Sequence, residues 1–456
     1  MPARDRWAEI AVGSREDGDP GMLHRVRGVV FGVVWLVGCA RGNSTSTDGR
    51  DAGVIPDIAI GRCDDGVRNG EETDIDCGGA CPACATGLAC RREEDCASLH
   101  CSRKGVCMGA VLSFSRPRQY GTDVRPTDLT LADFDWDGTI DAATANFGAD
   151  TVSILYNDGH GVLGGPRNLG TGNSPWRIIS SDLNGDGHPD LAVSDLGPSH
   201  DVTLYLSLGA NGYSAPTLIS LDTDGGPIAA GDIDGDGQVD LAVSLPHRAE
   251  VRLILHPLFK PAVRSIPMSG IEPGALYLGA LGAGTMELLV AAVNTPLLLG
   301  IPDVERQAVA TEQITGGQTA DAIVAVDLDE DGLLDLVTSD WDDSSLAIVM
   351  QMQPGVWGPP SLYHVGARVQ GVAVADFDGD GIDDLAASCV TDQAIAIFLG
   401  RGDGTFSGPL RFEGGPQPTN IHAADLDGDH LPDLAFVNNE ADNSVTVLLN
   451  TTLLVH

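Results

Sequence analysis

Basic residues are scarce in this sequence, and that scarcity argues against several classes of partner. The 456 residues include 26 Lys and Arg against 65 Asp and Glu, which gives a formal net charge of −39 at pH 7. Phosphate backbones and anionic lipid surfaces repel a chain of that charge. We therefore expect no nucleic-acid partner and no direct binding to a negatively charged membrane.

The sequence also lacks the short motifs of common catalytic sites. It has no Gly-x-Ser-x-Gly elbow, no phosphate-binding loop and no metalloprotease helix. Residues distant in sequence can still meet in a fold, so this lack favours a non-enzymatic function without excluding an enzyme.

The apolar run within residues 22–39 is too short to span a bilayer. It follows a short basic stretch and ends in Leu36-Val37-Gly38-Cys39, which resembles a bacterial lipobox. The resemblance implies that residues 22–38 are a lipoprotein signal peptide and that Cys39 carries lipid, with the protein exported to the cell envelope, at the outer membrane or cell surface. An ordinary cleaved signal or a short anchor is the alternative. Residues 1–21 are polar and unlike the start of a signal, so we expect Met22 to be the true initiator.

Two further segments precede the main part of the chain. Residues 39–61 are rich in Gly, Ser, Thr and Asp and predict a flexible tether. Residues 62–108 hold eight cysteines, which with an export signal upstream predict a small disulfide-rich module. Eight cysteines allow 105 pairings, so the connectivity stays open, and a redox or zinc pair at Cys81 and Cys84 is the less favoured alternative. The segment resembles cysteine-rich modules of bacterial surface proteins. The cysteines are Cys63, Cys77, Cys81, Cys84, Cys90, Cys96, Cys101 and Cys107.

An Asp-x-Asp-x-Asp-Gly-x-x-Asp motif recurs about every 49 residues through the rest of the chain. We call these six segments the aspartate loops and number their positions 1 to 9. Acidic or amide residues at positions 1, 3, 5 and 9 are Asp133, Asp135, Asp137 and Asp141; Asp182, Asn184, Asp186 and Asp190; Asp232, Asp234, Asp236 and Asp240; Asp327, Asp329, Asp331 and Asp335; Asp376, Asp378, Asp380 and Asp384; and Asp425, Asp427, Asp429 and Asp433.

Carboxylates at alternate positions can converge on one hard cation, and a glycine at position 6 permits a sharp turn. A single copy could be a plain Asp-Gly turn, but six copies in register predict calcium sites. The last acid falls at position 9 and is followed by an apolar run, so each loop leads into a strand rather than a helix.

The repeat predicts an all-β fold. Within one unit we expect strands near Ile178, at residues 191–194, at 202–206 and at 217–220. Four strands per repeat make one propeller blade, and a seventh unit at residues 279–287 keeps the spacing without the early acids. We therefore predict a seven-bladed β-propeller over residues 112–451, with residues 112–117 supplying the outer strand that the last blade lacks.

The motif and its spacing resemble the FG-GAP or VCBS repeats of integrin-α-like propellers. The resemblance implies calcium binding by the loop residues given above, with about six structural ions, and a role in recognition or adhesion. Asn184 lowers the charge of the second loop. His430 stands where the other loops have glycine, which predicts weaker binding there.

Calcium loops join the first and second strands of each blade, so we expect a ligand on the opposite face. Trp176 and Trp341 are the candidate aromatic platforms for a protein or glycan. The expected function is a calcium-stabilised, non-catalytic cell-surface recognition or adhesion propeller, attached to the membrane only through its lipid. The alternative is a polysaccharide lyase or hydrolase built on the same calcium-binding scaffold.

Overall fold

The computed structural model describes residues 112–281, 286–293, 295–302, 304, 312–315, 320–341, 343–366, 368–439 and 442–452. The signal peptide, the tether and the cysteine-rich module predicted from sequence all lie outside these residues. No helix among the described residues is long and apolar enough to cross a membrane.

Seven four-stranded antiparallel sheets account for nearly all the described strands, which confirms the predicted seven-bladed β-propeller. In chain order the strands are β1 (Arg118–Gly121); β2–β5 of blade 1 (Pro126–Ala132, Asp141–Asn146, Thr151–Leu155, Arg167–Gly170); β6–β9 of blade 2 (Pro175–Ser181, Asp190–Asp195, Asp201–Tyr205, Thr217–Ser220); β10–β13 of blade 3 (Ile228–Gly231, Asp240–Leu245, Glu250–Leu255, Ala262–Pro267); β14–β17 of blade 4 (Pro273–Gly279, Glu287–Ala292, Leu297–Ile301, Glu312–Thr315); β18, β19, β20 and β23 of blade 5 (Ala322–Val326, Asp335–Asp340, Ser345–Val349, Ser361–His364), with a small hairpin of β21 and β22 (Gln351–Gln353, Val356–Trp357); β24–β27 of blade 6 (Val369–Ala375, Asp384–Cys389, Ala394–Phe398, Leu410–Glu413); and β28–β30 of blade 7 (Pro418–Ala424, Asp433–Asn438, Ser444–Leu448). Two 3₁₀ turns are described, at Gly209–Asn211 and Pro246–Arg248.

The first strand of each blade contacts the first strands of both neighbours, and β28 contacts β2, so the ring is closed. Each aspartate loop joins the first strand of its blade to the second, and all six therefore lie on one face, the loop face. The turns between second and third strands and the connectors between blades lie on the opposite face.

The second strand of each blade has both sides buried. In β7, Leu191 and Val193 pack in a cluster shared with blade 1, while Ala192 packs in a cluster shared with blade 3. This is why these strands are continuous apolar runs rather than alternating ones. Seven such clusters of described residues each fill the space between two neighbouring blades.

The N-terminal segment completes blade 7, as predicted, but the strand lies further along the chain than predicted. Strand β1 pairs antiparallel with β30, with Arg118 opposite Val447 and Gly121 opposite Ser444. The predicted segment 112–117 forms an isolated bridge from Phe114 to Asn450, with backbone bonds from Ser115 to Leu449 and from Thr451 to Ser113, but no strand. Pro117 has no N–H to donate, which separates the bridge from the strand.

Candidate metal centres in the aspartate loops

The position-1 and position-5 carboxylates organise each loop through backbone hydrogen bonds. In the first loop the N–H groups of Asp137 and Gly138 donate to Asp133, at 3.1 and 2.9 Å. The N–H of Thr139, at position 7, donates to Asp137 at 2.8 Å. The same position-7 bond recurs in the other five loops, at 2.7–2.9 Å. These bonds fold the loop so that its oxygens face inward.

The position-9 aspartate has a structural role that the sequence did not predict. In blade 1, Oδ2 of Asp141 accepts from the N–H of Phe134 at 2.9 Å, and Oδ1 accepts from the N–H of Asn157 at 2.8 Å. All six position-9 carboxylates are buried and accept an equivalent pair of bonds. Each of them thus ties its loop to the turn that follows the third strand.

Two positions of every loop adopt left-handed backbone, not one. Position 6 has positive φ, including His430 at 71°, as the sequence predicted. Position 4 is also left-handed, and in two loops it is occupied by the non-glycine residues Trp136 at 67° and Glu330 at 58°. A side chain in this region is costly, so the hydrogen bonds of the loop must hold it there.

The loop carboxylates converge as a cation site requires. In blades 1, 3, 5 and 6, one oxygen from each of positions 1, 3 and 9 lies within 4.8 Å of the others. Calcium–oxygen distances of about 2.3–2.6 Å allow two ligands to lie up to roughly 5 Å apart. In blade 1, Oδ1 of Asp135 is buried and has no hydrogen-bond partner among the described residues. The residues at positions 1, 3 and 9 therefore fit a hard divalent cation.

The electrostatics of the loops also favour a cation. Burial raises the pKa of the position-9 carboxyls to about 7 for Asp141 and Asp433 and to about 6 for Asp190 and Asp335. Burial, with repulsion from Asp378, raises the pKa of Asp384 to about 9. Ionising these groups without a counter-charge is unfavourable, and a bound cation would remove that penalty.

A polar residue after the third strand links neighbouring loops, a role that was not predicted from the sequence. Asn157 Nδ2 donates to the carbonyl of Leu426 in blade 7 at 2.7 Å. Asn450 makes the equivalent bond to Phe377 in blade 6, and the Ser207 hydroxyl bonds Phe134 in blade 1. Each bond ends on position 2 of the preceding loop. The only sequence signal was a recurring polar residue after the third strand.

Blade 3 has a histidine at this place. The imidazole of His256 lies between two loop carboxylates, with Nε2 3.3 Å from Asp234 and Nδ1 3.4 Å from Asp236. The backbone N–H of His256 donates to Oδ1 of Asp240 at 2.9 Å, as the equivalent residue does in the other aspartate-loop blades. The third loop thus has a titratable neighbour that the other loops lack at this position.

The aromatic residues predicted as ligand platforms differ in accessibility. Trp176 is only 2% exposed and packs edge-on against Phe147, so it offers no surface for stacking. Trp341 is half-buried, with the Arg368 guanidinium 4.9 Å from its ring centre. The most exposed tryptophan among those described is Trp136, on the loop face, which is 41% exposed and stacks on His188 at 3.7 Å. Nothing in the sequence around these tryptophans distinguishes a buried ring from an exposed one.

Inside the ring, the first strands of blades 5, 6 and 7 line a cavity of about 350 Å³. Its wall is largely Ala, Val and Ile, and His422 is the titratable side chain among its lining residues. Burial lowers the pKa of His422 to about 4, so the imidazole is neutral near pH 7.

Sequence comparison agrees with this geometry. Residues 133–193, 182–243, 327–387 and 376–436 match the family described as "FG-GAP-like repeat". The chain carries FG-GAP-like repeats. Each matched segment runs from the aspartate loop of one blade into the second strand of the next, and together the segments include all six aspartate loops. No curated protein matches the sequence.

Solved structures of similar fold include proteins with different activities. BBS1N, solved in complex with ARL6DN, superposes with a TM-score of 0.54 at 10% identity, covering 75% of this chain and 97% of that one. Virginiamycin B lyase from Staphylococcus aureus, solved with quinupristin, superposes with a TM-score of 0.51 at 13% identity, covering 74% and 99%. At these identities the likeness shows the propeller fold alone.

Proposed function

We propose that this FG-GAP-like propeller is a calcium-stabilised recognition module of the cell envelope that binds a protein or a glycan. The observation that carries the calcium part is the convergence of oxygens from positions 1, 3 and 9 within 4.8 Å in four of the loops. The Asp loop oxygens would hold the ions, and calcium would neutralise their mutual repulsion.

The residues that line the inner cavity support a recognition role. The inner cavity has one titratable lining residue, the neutral His422. Acid–base catalysis on a polysaccharide commonly uses two carboxyl groups, and this cavity lining supplies neither. The likeness to BBS1N, a propeller solved with a protein partner, is compatible with binding. We therefore favour a surface ligand over a lyase or hydrolase reaction in the cavity.

The opposite face is the proposed binding surface. There the half-buried Trp341 and the guanidinium of Arg368 form a cation–π pair on a turn between second and third strands. Such a pair offers a flat apolar surface beside a positive charge, which suits an acidic glycan or a protein anchor residue. Attachment through lipid at Cys39 would keep this propeller at the envelope.

The test measures how the full chain binds immobilised glycans and peptides in the presence of calcium. The wild type is compared with two tryptophan variants. Trp341→Ala should weaken binding by about tenfold or more, the effect of losing one anchor residue of at least 1–2 kcal/mol. Trp136→Ala on the loop face is the matched control and should leave binding unchanged. Turnover of a polysaccharide that is lost in His422→Asn would instead support the enzyme alternative.

A further inference from the structure

A second cluster of metal-ligating side chains lies on the opposite face, at the other end of the strands from the aspartate loops. Asp224 belongs to the connector between β9 and β10, His200 to the turn between β7 and β8, and His247 to the 3₁₀ turn of blade 3. His200 Nδ1 lies 2.9 Å from Oδ1 of Asp224, and His247 Nε2 lies 3.7 Å from Oδ2. One carboxylate therefore faces two imidazoles that come from neighbouring blades.

The contact between His200 and Asp224 is not an ordinary hydrogen bond. Nδ1 of His200 is buried and has no hydrogen-bond partner of acceptable geometry, although the carboxylate oxygen is only 2.9 Å away. The distance satisfies a hydrogen bond and the direction does not. This ring nitrogen therefore has no hydrogen bond to lose on coordinating a cation.

The three backbones that carry these side chains are fixed to one another. Leu221 N–H donates to the carbonyl of His200 at 2.7 Å, which joins the turn of blade 2 to the start of the connector. The Arg248 guanidinium donates to the carbonyl of Asp222 at 3.0 Å, which joins the 3₁₀ turn to the same connector.

The far end of the connector is anchored to both blades as well. Gly225 N–H donates to the carbonyl of Asp195 in blade 2 at 3.0 Å, and Gly226 N–H donates to that of Ser244 in blade 3 at 2.8 Å. The Ser194 hydroxyl bonds the Gly226 carbonyl at 2.7 Å. A ligand set on a backbone held at both ends loses little freedom on binding a metal.

We propose that His200, Asp224 and His247 bind one transition-metal ion of the zinc class. Zinc takes imidazole nitrogen at about 2.0–2.1 Å and carboxylate oxygen at about 2.0–2.2 Å, so two ligands in a tetrahedral site lie about 3.3 Å apart. The observed separations fall on either side of that value, at 2.9 Å from His200 Nδ1 to Oδ1 of Asp224 and 3.7 Å from His247 Nε2 to Oδ2, so one carboxylate oxygen faces each imidazole. Calcium and magnesium prefer oxygen ligands and would not use the two imidazoles.

Three protein ligands leave the site open. The side chains of His200, Asp224 and His247 are 38%, 28% and 46% exposed, so the remaining coordination position faces solvent. An open position is typical of zinc sites that bind an exogenous ligand. The site stands independently of the calcium proposal, because its donor set and its face of the propeller are both different.

The test is a zinc titration of the full chain against a chromophoric chelator. Calcium is present in excess to occupy the aspartate loops, and accessible thiols are alkylated beforehand so that cysteine does not compete. We expect the wild type to bind one more zinc than the double variant His200→Asn/His247→Asn. The affinity for that ion should fall by at least about 100-fold, since loss of even an outer-shell partner costs about 10–100-fold.

His256→Asn is the matched control, because His256 also lies beside two carboxylates but on the loop face. The His256→Asn variant should bind zinc with the same stoichiometry and affinity as the wild type. Cobalt substituted for zinc should give a visible absorption band that disappears in the double variant and persists in the control.

Equal zinc affinity and equal cobalt spectra in the wild type and the double variant would overturn the proposal. Loss of the ion in His256→Asn alone would also overturn it, since the metal would then lie in the third loop. If the double variant does not fold, the isosteric Asp224→Asn takes its place, with the same expected loss and the same contrary result.

Discussion

At the scale of the residue, the aspartates of one loop divide into two kinds. Asp141 is buried and accepts two backbone hydrogen bonds, so it stabilises the fold with or without a cation. Asp135 has a buried oxygen with no partner, and repulsion from Asp137 and Asp133 contributes, after burial, to raising the pKa of its carboxyl. Under the proposed function, its contribution to stability comes from the bound cation.

This division predicts that substitutions of the two aspartates differ in how their effect on stability depends on calcium. Asp141→Ala should lower the free energy of unfolding by about 2–6 kcal/mol both in calcium and in chelator, because two buried N–H groups lose their acceptors at about 1–3 kcal/mol each. Asp135→Ala should be destabilising in calcium and neutral or stabilising in chelator. Urea unfolding of both variants under both conditions measures this. An Asp135→Ala variant equally destabilised in chelator would contradict the assignment.

Asp195 carries a pH dependence that is separate from the loops. It is fully buried at the end of β7, and burial raises the pKa of its carboxyl to about 7, with Asp201 adding repulsion. Because the folded-state pKa exceeds the unfolded value near 4, the folded state binds the proton more tightly. The contribution of this group to stability is therefore present at acid pH and is lost as pH rises from about 4 to about 7.

Asp195→Asn should remove that loss while keeping an acceptor for the Thr203 hydroxyl, which bonds Asp195 at 2.9 Å. We expect the variant to be more stable than the wild type at pH 8, by roughly 4 kcal/mol for a shift of about three pKa units, and to match it near pH 4. Unfolding curves across this pH range give the measurement. Asp222→Asn, at an exposed position, is the control. The prediction would be contradicted if the difference in stability between Asp195→Asn and the wild type did not change with pH.

At the scale of the element, the closure of blade 7 depends on one short strand. Strand β1 covers β30, and Phe114 packs edge-on against Phe377 and Phe412 of blade 6, with ring centres 6.1 and 5.0 Å away. A chain that begins at residue 122 would lose both the strand and the aromatic contact. It would also leave the edge of β30 unpaired.

We expect the chain that begins at residue 122 to unfold at lower temperature than one that begins at residue 112. It should also self-associate, because an open strand edge can pair with another chain. Thermal unfolding and size-exclusion chromatography of the two chains measure these effects. Equal melting temperatures and equal elution volumes would show that β1 does not close the ring.

Much of each element could be predicted from the sequence, because its determinants are local. The second strand of blade 2 was expected at residues 191–194 and runs over Asp190–Asp195, and its outer strand lies at Thr217–Ser220 as expected. Turn residues and apolar runs fix these positions. The outer strand of blade 7 was misplaced because its partner, β30, lies more than 300 residues away in the sequence.

The contacts between blades could not be predicted for the same reason. Asn157 bonds Leu426 across 269 residues of sequence, and nothing near Asn157 indicates that partner. The burial of Trp176 depends on Phe147, which belongs to the preceding blade. The loop motif predicted the candidate ligands, while the two-bond role of position 9 required the turn that the fold brings beside it.

At the scale of the whole molecule, each blade is stabilised mainly by its neighbours. The apolar clusters lie between blades, and the bonds from Asn157, Ser207 and Asn450 join one loop to the next. The aspartate loops of blades 6 and 7, of blades 7 and 1, and of blades 1 and 2 are therefore joined by direct hydrogen bonds. We therefore expect the loss of a cation from one of these loops to weaken cation binding at the loop bonded to it.

Calcium removal tests this whole arrangement. A site of ~0.1 mM affinity at ~1 mM calcium adds roughly 1.4 kcal/mol of stability, and about six such sites approach the total stability of an ordinary domain. We expect a chelator to lower the melting temperature of the full chain by a large margin. Native mass spectrometry should count about six calcium ions.

The coupling between loops makes the expected loss cooperative. Removing one ion leaves buried carboxylates such as Asp384 without a counter-charge, and the resulting strain acts on a loop that is bonded to its neighbour through Asn450. Asp376→Ala in blade 6 should therefore weaken calcium binding at the adjoining blade 7 as well as its own site. If the other five ions bind to this variant with unchanged affinity, the loops act independently. If the wild-type chain binds no calcium at all, the six loops are plain turns and not metal sites.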